Sequence, residues 1–310
     1  MKISLVIPIY NEEGLIDELI PRVKNALEAI DPQFEIVVVD DGSADGSLQK
    51  LTAQRKADKR VKILSLSRNF GHQSAFTAGL EYAKGDVVAM MDGDLQDPPE
   101  LLPEMYRKLT SEEYDIISGK RTARKGNKTK NLVTGLFHFL FKRMAHLEDL
   151  ENAGNFSMMN RQALNALLSM DERVRYLPGL RTFIGFRQGF VEYVREDRLQ
   201  GEPKMNLSKL LVLAADAIFS FSRLPIRICL TLGLVGTVVF MLAGLYVLIA
   251  KIFGFAVLGW PSTVLSIYFL GSIQLIFLGV VGEYVYRIYK ESQKRPLYFI
   301  KKIFDNEEEA

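Results

Sequence analysis

The chain has 310 residues, is 48% hydrophobic and 25% charged, and carries a formal net charge of +2. A near-neutral balance gives no global signal for nucleic acid, and nothing is repeated or depleted as collagen, low-complexity disorder or a coiled coil requires. The single cysteine, Cys229, excludes an intrachain disulfide, and His72, His138 and His146 are too scattered for a zinc site. The apolar excess sits at one end. No charged residue falls between Ile228 and Ala250, and none between Ile252 and Gly282. A bilayer span needs about 20 apolar residues, so two spans fit here.

In chain order, residues 3–9 form a continuous apolar run, expected as a buried strand. This run is too short for a signal peptide and leads into Asn11-Glu12-Glu13, so the N-terminal part is expected to stay in the cytoplasm. Asn11 to Ala29 has helical spacing, with Leu15, Leu19, Val23, Leu27 and Ile30 on one face. Phe34–Val39 reads as a second strand ending at Asp40-Asp41-Gly42-Ser43, followed by a polar helix to about Asp58. Val61–Leu66 is a third strand, Ser74–Ala83 a helix, and Asp86–Met91 a fourth strand ending at Asp92-Gly93-Asp94. Asp97 reads as the N-cap of the next helix, with Pro98 and Pro99 in the first turn and Glu100 closing a capping box. A fifth strand is expected over Tyr114–Ser118. Lys120 to Lys130 then carries six basic residues and no acidic one, ahead of an amphipathic helix over 131–146. Leu207 to Phe221 is apolar at helical spacing, interrupted by Asp216, and reads as a helix in the membrane interface.

Alternating strands and helices predict a mostly parallel sheet wrapped by helices, which binds ligands beyond the carboxyl ends of its strands. The expected organisation is a cytoplasmic catalytic domain over 1–204, a juxtamembrane helix over 205–224, a transmembrane hairpin over 225–288 and a basic tail over 289–310. Arg223 and Arg227 precede the first span, while Arg287, Lys290, Lys294, Arg295, Lys301 and Lys302 follow the second. Only Lys251 lies between them. The positive-inside bias puts both termini in the cytoplasm and the hairpin loop outside, near Trp260-Pro261.

The carboxylates collect at strand ends. Asp92 and Asp94, two residues apart, can converge on Mg²⁺ or Mn²⁺, with Gln96 as a neutral oxygen ligand at the next alternate position. A solvated Asp-Gly turn is an equal alternative for this motif taken alone. Asp40-Asp41-Gly42-Ser43 supplies a second acidic strand end, and a carboxylate there can accept the N3–H of a uracil or the hydroxyls of a ribose. Pro8, Tyr10 and Glu12 close the first strand in the same plane. No GxGxxG follows a strand, and neither a P-loop nor a GxSxG elbow is present.

Pro8-Ile9-Tyr10-Asn11-Glu12, Val39-Asp40-Asp41-Gly42-Ser43, Ser67-Arg68-Asn69-Phe70-Gly71 and Met91-Asp92-Gly93-Asp94-Leu95-Gln96-Asp97-Pro98-Pro99 together resemble the inverting family 2 glycosyltransferases. The Asp-Leu-Gln-Asp-Pro-Pro extension resembles the polyprenyl-phosphate branch. A catalytic domain followed by two spans is most similar to the bactoprenol glucosyltransferases within it. The resemblance implies an α/β GT-A fold, Rossmann-like, followed by interfacial and transmembrane helices. It implies transfer of a hexose from a UDP-sugar to a polyprenyl phosphate at the inner face of the plasma membrane. It further implies a nucleotide site of Pro8, Tyr10, Glu12, Asp40, Arg68 and Asp92, and a metal held by Asp94, Gln96 and Asp92. By the same resemblance, Asp92, Asp94 and Arg121 are expected to carry the catalysis, and Arg121, Arg124, Lys125, Arg198 and Lys204 to meet the acceptor phosphate. The chain departs from the family pattern at Pro203, where a serine is usual, at Asn155, often aspartate, and at Ala215, usually bulkier. Two alternatives stand beside this expectation: a GDP-mannose-dependent synthase and a membrane-anchored nucleotide-binding scaffold without turnover. A homo-oligomer and the sugar itself are left open.

Overall fold

A computed structural model describes residues 2–121, 153–173, 175–194, 224–253 and 259–305. The basic residues Arg124, Lys125, Arg198 and Lys204, the expected helices over 131–146 and 207–221, and Pro203 and Ala215 lie outside them. The chain divides into two compact units, one of 1–138, 147–204 and 295–310, the other of 139–146 and 205–294.

The first unit is built on one eight-stranded sheet. Its strands are β1 (Ile3–Ile9), β2 (Phe34–Asp40), β3 (Val61–Leu66), β4 (Val87–Met90), β5 (Ile116–Arg121), β6 (Ala153–Asn160), β7 (Gln188–Tyr193) and β8 (Ile300–Phe304), in the order β7-β5-β6-β4-β1-β2-β3-β8. Strands β3, β2, β1 and β4 run parallel, and β7 runs parallel to β5. Strand β6 is antiparallel to both β4 and β5, and β8 is antiparallel to β3. The sheet is therefore mostly parallel, as the alternation predicts.

Both faces are covered, which is why β1 is a continuous apolar run with all seven residues buried. Leu5, Ile7 and Ile9 pack with helices α1 (Ile16–Glu28), α2 (Ser47–Ala57) and α4 (Leu102–Ser111). Val6, Val37 and Val39 face the other way, into α3 (His72–Tyr82), α5 (Arg161–Leu168) and α6 (Leu177–Phe183). The alternation follows from the two-residue period of a strand.

In this unit three sequence expectations change. Helix α1 starts at Ile16 rather than Asn11, because the polar residues ahead of it bond across to the β2–α2 loop. The Asn11 and Glu12 N–H groups donate to Ser43 Oγ (3.1 Å) and Ser47 Oγ (3.0 Å), and Asn11 Oδ1 accepts from Ala44 N–H at 2.8 Å. Such side-chain bonds compete with helix formation. Asp97 caps nothing. A 3₁₀ turn over Pro99–Leu101 precedes α4, neither has a side-chain cap, and the Asp97 side chain is wholly buried against Tyr193. Finally, the expected basic tail returns to the sheet as β8. Asp305 behind it is buried, accepts from Tyr82 Oη and pairs with Lys62 Nζ at 3.2 Å, while Arg55 Nε donates to Phe304 O at 2.8 Å.

The second unit holds two long helices, α7 (Leu224–Ile252) and α8 (Trp260–Ser292). Within them Cys229–Tyr246 and Ser266–Ser292 are long and apolar enough to cross a membrane, with mean hydropathies of 2.0 and 1.5. Leu234, Met241, Tyr246 and Leu275 are exposed rather than packed into a core. Thr237 and Ser272 return their hydroxyls to the carbonyls of Gly233 and Tyr268 at 2.8 Å, so these polar atoms need no outside partner. Trp260 and Pro261, expected in the loop, instead begin α8, where proline's missing N–H costs nothing.

Candidate active site

A cleft of about 300 Å³ opens at the carboxyl ends of β1, β2 and β4. Pro8, Tyr10 and Glu12 line it from β1, Asp41 from β2, and Asp92 and Asp94 from β4, with Asn69, Gly71 and His72 between. Gly93 makes the close approach of the two acidic residues to β1 feasible. A methyl group there would lie 2.4 Å from Ile9 Cδ1 and 3.0 Å from Pro8 O. Tyr10 is 41% exposed, an aromatic face open to a planar ring.

Adjacent residues of a strand end point in opposite directions, and this separates Asp40 from Asp41. Asp40 is buried away from the cleft, with Oδ1 accepting from Ser43 N–H (3.0 Å) and Oδ2 from Ser65 Oγ (3.1 Å). Asp40 is therefore not among the residues that line the cleft. Asp41 holds the next loop, accepting from Phe70 N–H at 2.8 Å and Gly71 N–H at 3.0 Å. Burial pushes its carboxyl up, partly offset by these two bonds. Arg68 is exposed, stacks over the Phe70 ring at 4.2 Å and lies outside the cleft wall.

Asp92 Oδ1 sits 2.9 Å from His72 Nε2 and accepts from Asn155 Nδ2 at 3.4 Å. Burial would push the Asp92 carboxyl up, but the His72 hydrogen bond and charge outweigh it and hold the group below its ordinary range. For His72 the same balance runs in reverse. Burial lowers its pKa, and the bond to Asp92, with the charges of Asp92, Asp94 and Asp41, leaves it raised. Asp94 is buried at the cleft wall, and its Oδ1 accepts the Gln96 N–H at 3.2 Å. Gln96 does not itself line the cleft. Among the described residues no three His, Cys, Asp or Glu side chains gather to hold a metal. Two carboxylates are nonetheless the donor set Mg²⁺ or Mn²⁺ takes when substrate phosphates complete the shell. Asp92 and Asp94 fit that requirement.

Arg121, at the end of β5, is half-buried. Its Nε donates to Tyr193 Oη at 3.1 Å, and its Nη2 lies 3.6 Å from Asp97 Oδ1. Beneath it, Arg181 is fully buried and donates to Gly154 O (2.8 Å), Asn155 O (3.2 Å) and Ser157 Oγ. Burial pushes its guanidinium down to about 10. Arg181 thereby pins the start of β6, which carries Asn155.

Sequence reasoning placed Asp41 at an acidic strand end without giving it a role of its own, and missed the cleft residues Asn69 and His72 and, behind them, Tyr193 and Arg181. His72 carries a local signal, since it opens a helix directly behind a strand-end loop. Arg181 and Tyr193 carry none.

The model of glycosyl transferase family 2 matches residues 4–168, more than half of the chain. The chain belongs to this family. A bactoprenol glucosyl transferase homolog from an Escherichia coli prophage is 39% identical over 305 residues, covering 98% of this chain and 99% of that protein. The bactoprenol glucosyl transferase of Shigella phage SfV is 38% identical over 303 residues, covering 97% and 98%. An uncharacterized glycosyltransferase from Synechocystis is 39% identical over 306 residues, covering 98% and 96%. Among solved structures, glucosyl-3-phosphoglycerate synthase from Mycobacterium tuberculosis, with Mn²⁺, UDP and phosphoglyceric acid, superimposes with a TM-score of 0.50. It is 20% identical and covers 70% of this chain and 76% of that one, a likeness of fold alone. The sheet of this glycosyltransferase is thus a GT-A sheet, with its cleft beyond the carboxyl ends of the parallel strands.

Proposed function

We propose that this glycosyltransferase moves a hexose, glucose in the favoured reading, from a UDP-sugar to a polyprenyl phosphate, inverting the anomeric centre. The observation that carries the proposal is the pair Asp92 and Asp94, set in one cleft beyond the strand ends. The two bactoprenol glucosyl transferase relatives support the acceptor, since they match along the hairpin as well as the catalytic sheet.

In this reading Tyr10, Glu12 and Asn69 bound the nucleoside end of the cleft. His72 and Asn155 fix the Asp92 carboxylate. Asp94 and Asp92 would hold Mg²⁺ or Mn²⁺, which supplies charge neutralisation to the leaving diphosphate. The acceptor phosphate is anionic at neutral pH, so attack needs no strong base, and the amide of Asn155 offers none. What the chain must supply is positive charge for two polyanions. Arg121, with Arg124, Lys125, Arg198 and Lys204, fills that role.

The hairpin anchors the enzyme in the membrane. Residues 3–121 and β8 share one sheet while two spans lie between them, which supports an even number of crossings with both flanks on one side. The basic residues that follow α8 favour the cytoplasmic side. Detergent-purified protein, given radiolabelled UDP-glucose, polyprenyl phosphate and Mg²⁺ or Mn²⁺, is expected to yield labelled lipid. UDP is expected to compete better than GDP. Transfer from GDP-mannose instead would replace the donor, and nucleotide binding without any transfer would favour the scaffold alternative.

A further inference from the structure

We infer that Tyr193 and Asp97 are positioning residues that aim the Arg121 guanidinium at a phosphate, in space that Gly154 leaves open. The inference rests on the proposed reaction, in which Arg121 meets the acceptor phosphate.

Arg121 and Tyr193 are register partners on the parallel strands β5 and β7, so their side chains share a face of the sheet. The hydroxyl of Tyr193 accepts from Arg121 Nε and donates to Asp97 Oδ1. Asp97 is wholly buried, and Tyr193 is 6% exposed, with its ring edge-on to Phe156 at 5.8 Å. The Nε–Nη2 edge of the guanidinium is therefore turned toward this pair, with Nη2 3.6 Å from Asp97 Oδ1. Among the described residues no acceptor is recorded for Nη1. The Nη1–Nη2 edge remains, which is a fork suited to two phosphate oxygens. With 29% of the side chain exposed, that edge has access to solvent and ligand.

The backbone makes room for this pose. A methyl group on Gly154 would lie 2.7 Å from Arg121 Nη2 and 3.2 Å from Cζ, and those guanidinium atoms are its nearest neighbours. Gly154 has no positive φ, so glycine is not required there by the local chain path. What glycine provides is a seat for the guanidinium. A buried ion pair by itself contributes little to stability compared with apolar packing. The hydroxyl link and the glycine seat serve orientation instead.

The test is a kinetic double-mutant cycle on the full-length protein in detergent, varying polyprenyl phosphate and UDP-sugar separately. Tyr193→Phe is expected to lower kcat/KM for polyprenyl phosphate about tenfold, in line with loss of one charge-assisted hydrogen bond, with KM for UDP-sugar unchanged. Gly154→Ala, whose added methyl would meet the same guanidinium, is expected to give the same split. Because both act through Arg121, adding either to Arg121→Ala is expected to cause no further loss. Losses that multiply on the Arg121→Ala background would overturn the inference. So would a fall in melting temperature with acceptor kinetics unchanged. Absence of transfer by the wild-type protein overturns the proposed reaction and this inference together, whereas wild-type transfer with multiplying losses overturns the inference alone.

Discussion

Replacing Asp305 by alanine is expected to release β8 from the sheet without unfolding the domain. Within β8 only Ile303 and Phe304 pack against the core, and both only in part: Ile300 is 38% exposed and Phe299 just before it 55%. Its attachment rests further on the β3 ladder, on the Arg55 bond to Phe304 O and on Asp305, which receives Tyr82 Oη and Lys62 Nζ. Each such charge-assisted contact is worth roughly 1.5–3 kcal/mol. Lys62 keeps Glu35 at 2.9 Å, so the substitution strands no buried cation. The two contacts together amount to about 3–6 kcal/mol. That is enough to open an edge strand and lies around or below the low end of the roughly 5–15 kcal/mol that holds a domain together. At about 1.4 kcal/mol per factor of ten, amide exchange over 300–304 should accelerate at least a hundredfold. The Ser67 N–H, which donates to Phe299 O at 2.9 Å, should accelerate with it. Hydrogen exchange read by mass spectrometry checks both. Unchanged protection over 300–304 with a lowered melting temperature would refute the reasoning and credit the ladder alone.

Asp94→Asn is expected to abolish sugar transfer, measured as radiolabelled lipid at saturating Mg²⁺, while the melting temperature stays near that of the wild type. Asp41→Ala leaves the Phe70 and Gly71 N–H groups without their acceptor, at roughly 1–3 kcal/mol each if they stay unsatisfied. A raised KM for UDP-sugar and a lower melting temperature are expected. The hydrogen bonds from Arg60, with those from Lys24, hold the Asp58 carboxyl well below its usual range. A carboxylate so depressed adds stability above its unfolded pKa of about 3.9 and loses it as pH falls toward the folded value. Asp58→Asn should therefore melt below the wild type at pH 7, with the gap closing under acid. A gap independent of pH would contradict this.

What the sequence made legible was whatever repeats along the chain. Val61–Leu66 is a strand as read, and the paired acids of Asp92-Gly93-Asp94 stand at a strand end because a continuous apolar run stops there. The errors have a shared cause. Asp97-Pro98-Pro99-Glu100 has every local feature of a capping box, but its partner Tyr193 lies 96 residues away. The five residues of β8 read as part of a charged tail, and their partner strand ends 234 residues before them in the sequence. Asp40 and Asp41 are chemically equal neighbours, and only the pleat decides which one meets the cleft. Long-range pairing and side-chain direction leave no periodic trace.

The position of β8 also fixes an order of events during synthesis. The residues that complete this sheet leave the ribosome after both apolar helices. Until then the outer edge of β3 has open backbone donors and acceptors, the kind of edge that invites pairing with other chains. The catalytic sheet is thus finished only once the hairpin has been made. A soluble fragment cut before Leu224 would keep the cleft residues but lack its last strand. Joining 295–305 to such a fragment through a short linker would restore that edge, and lower aggregation would be its measure.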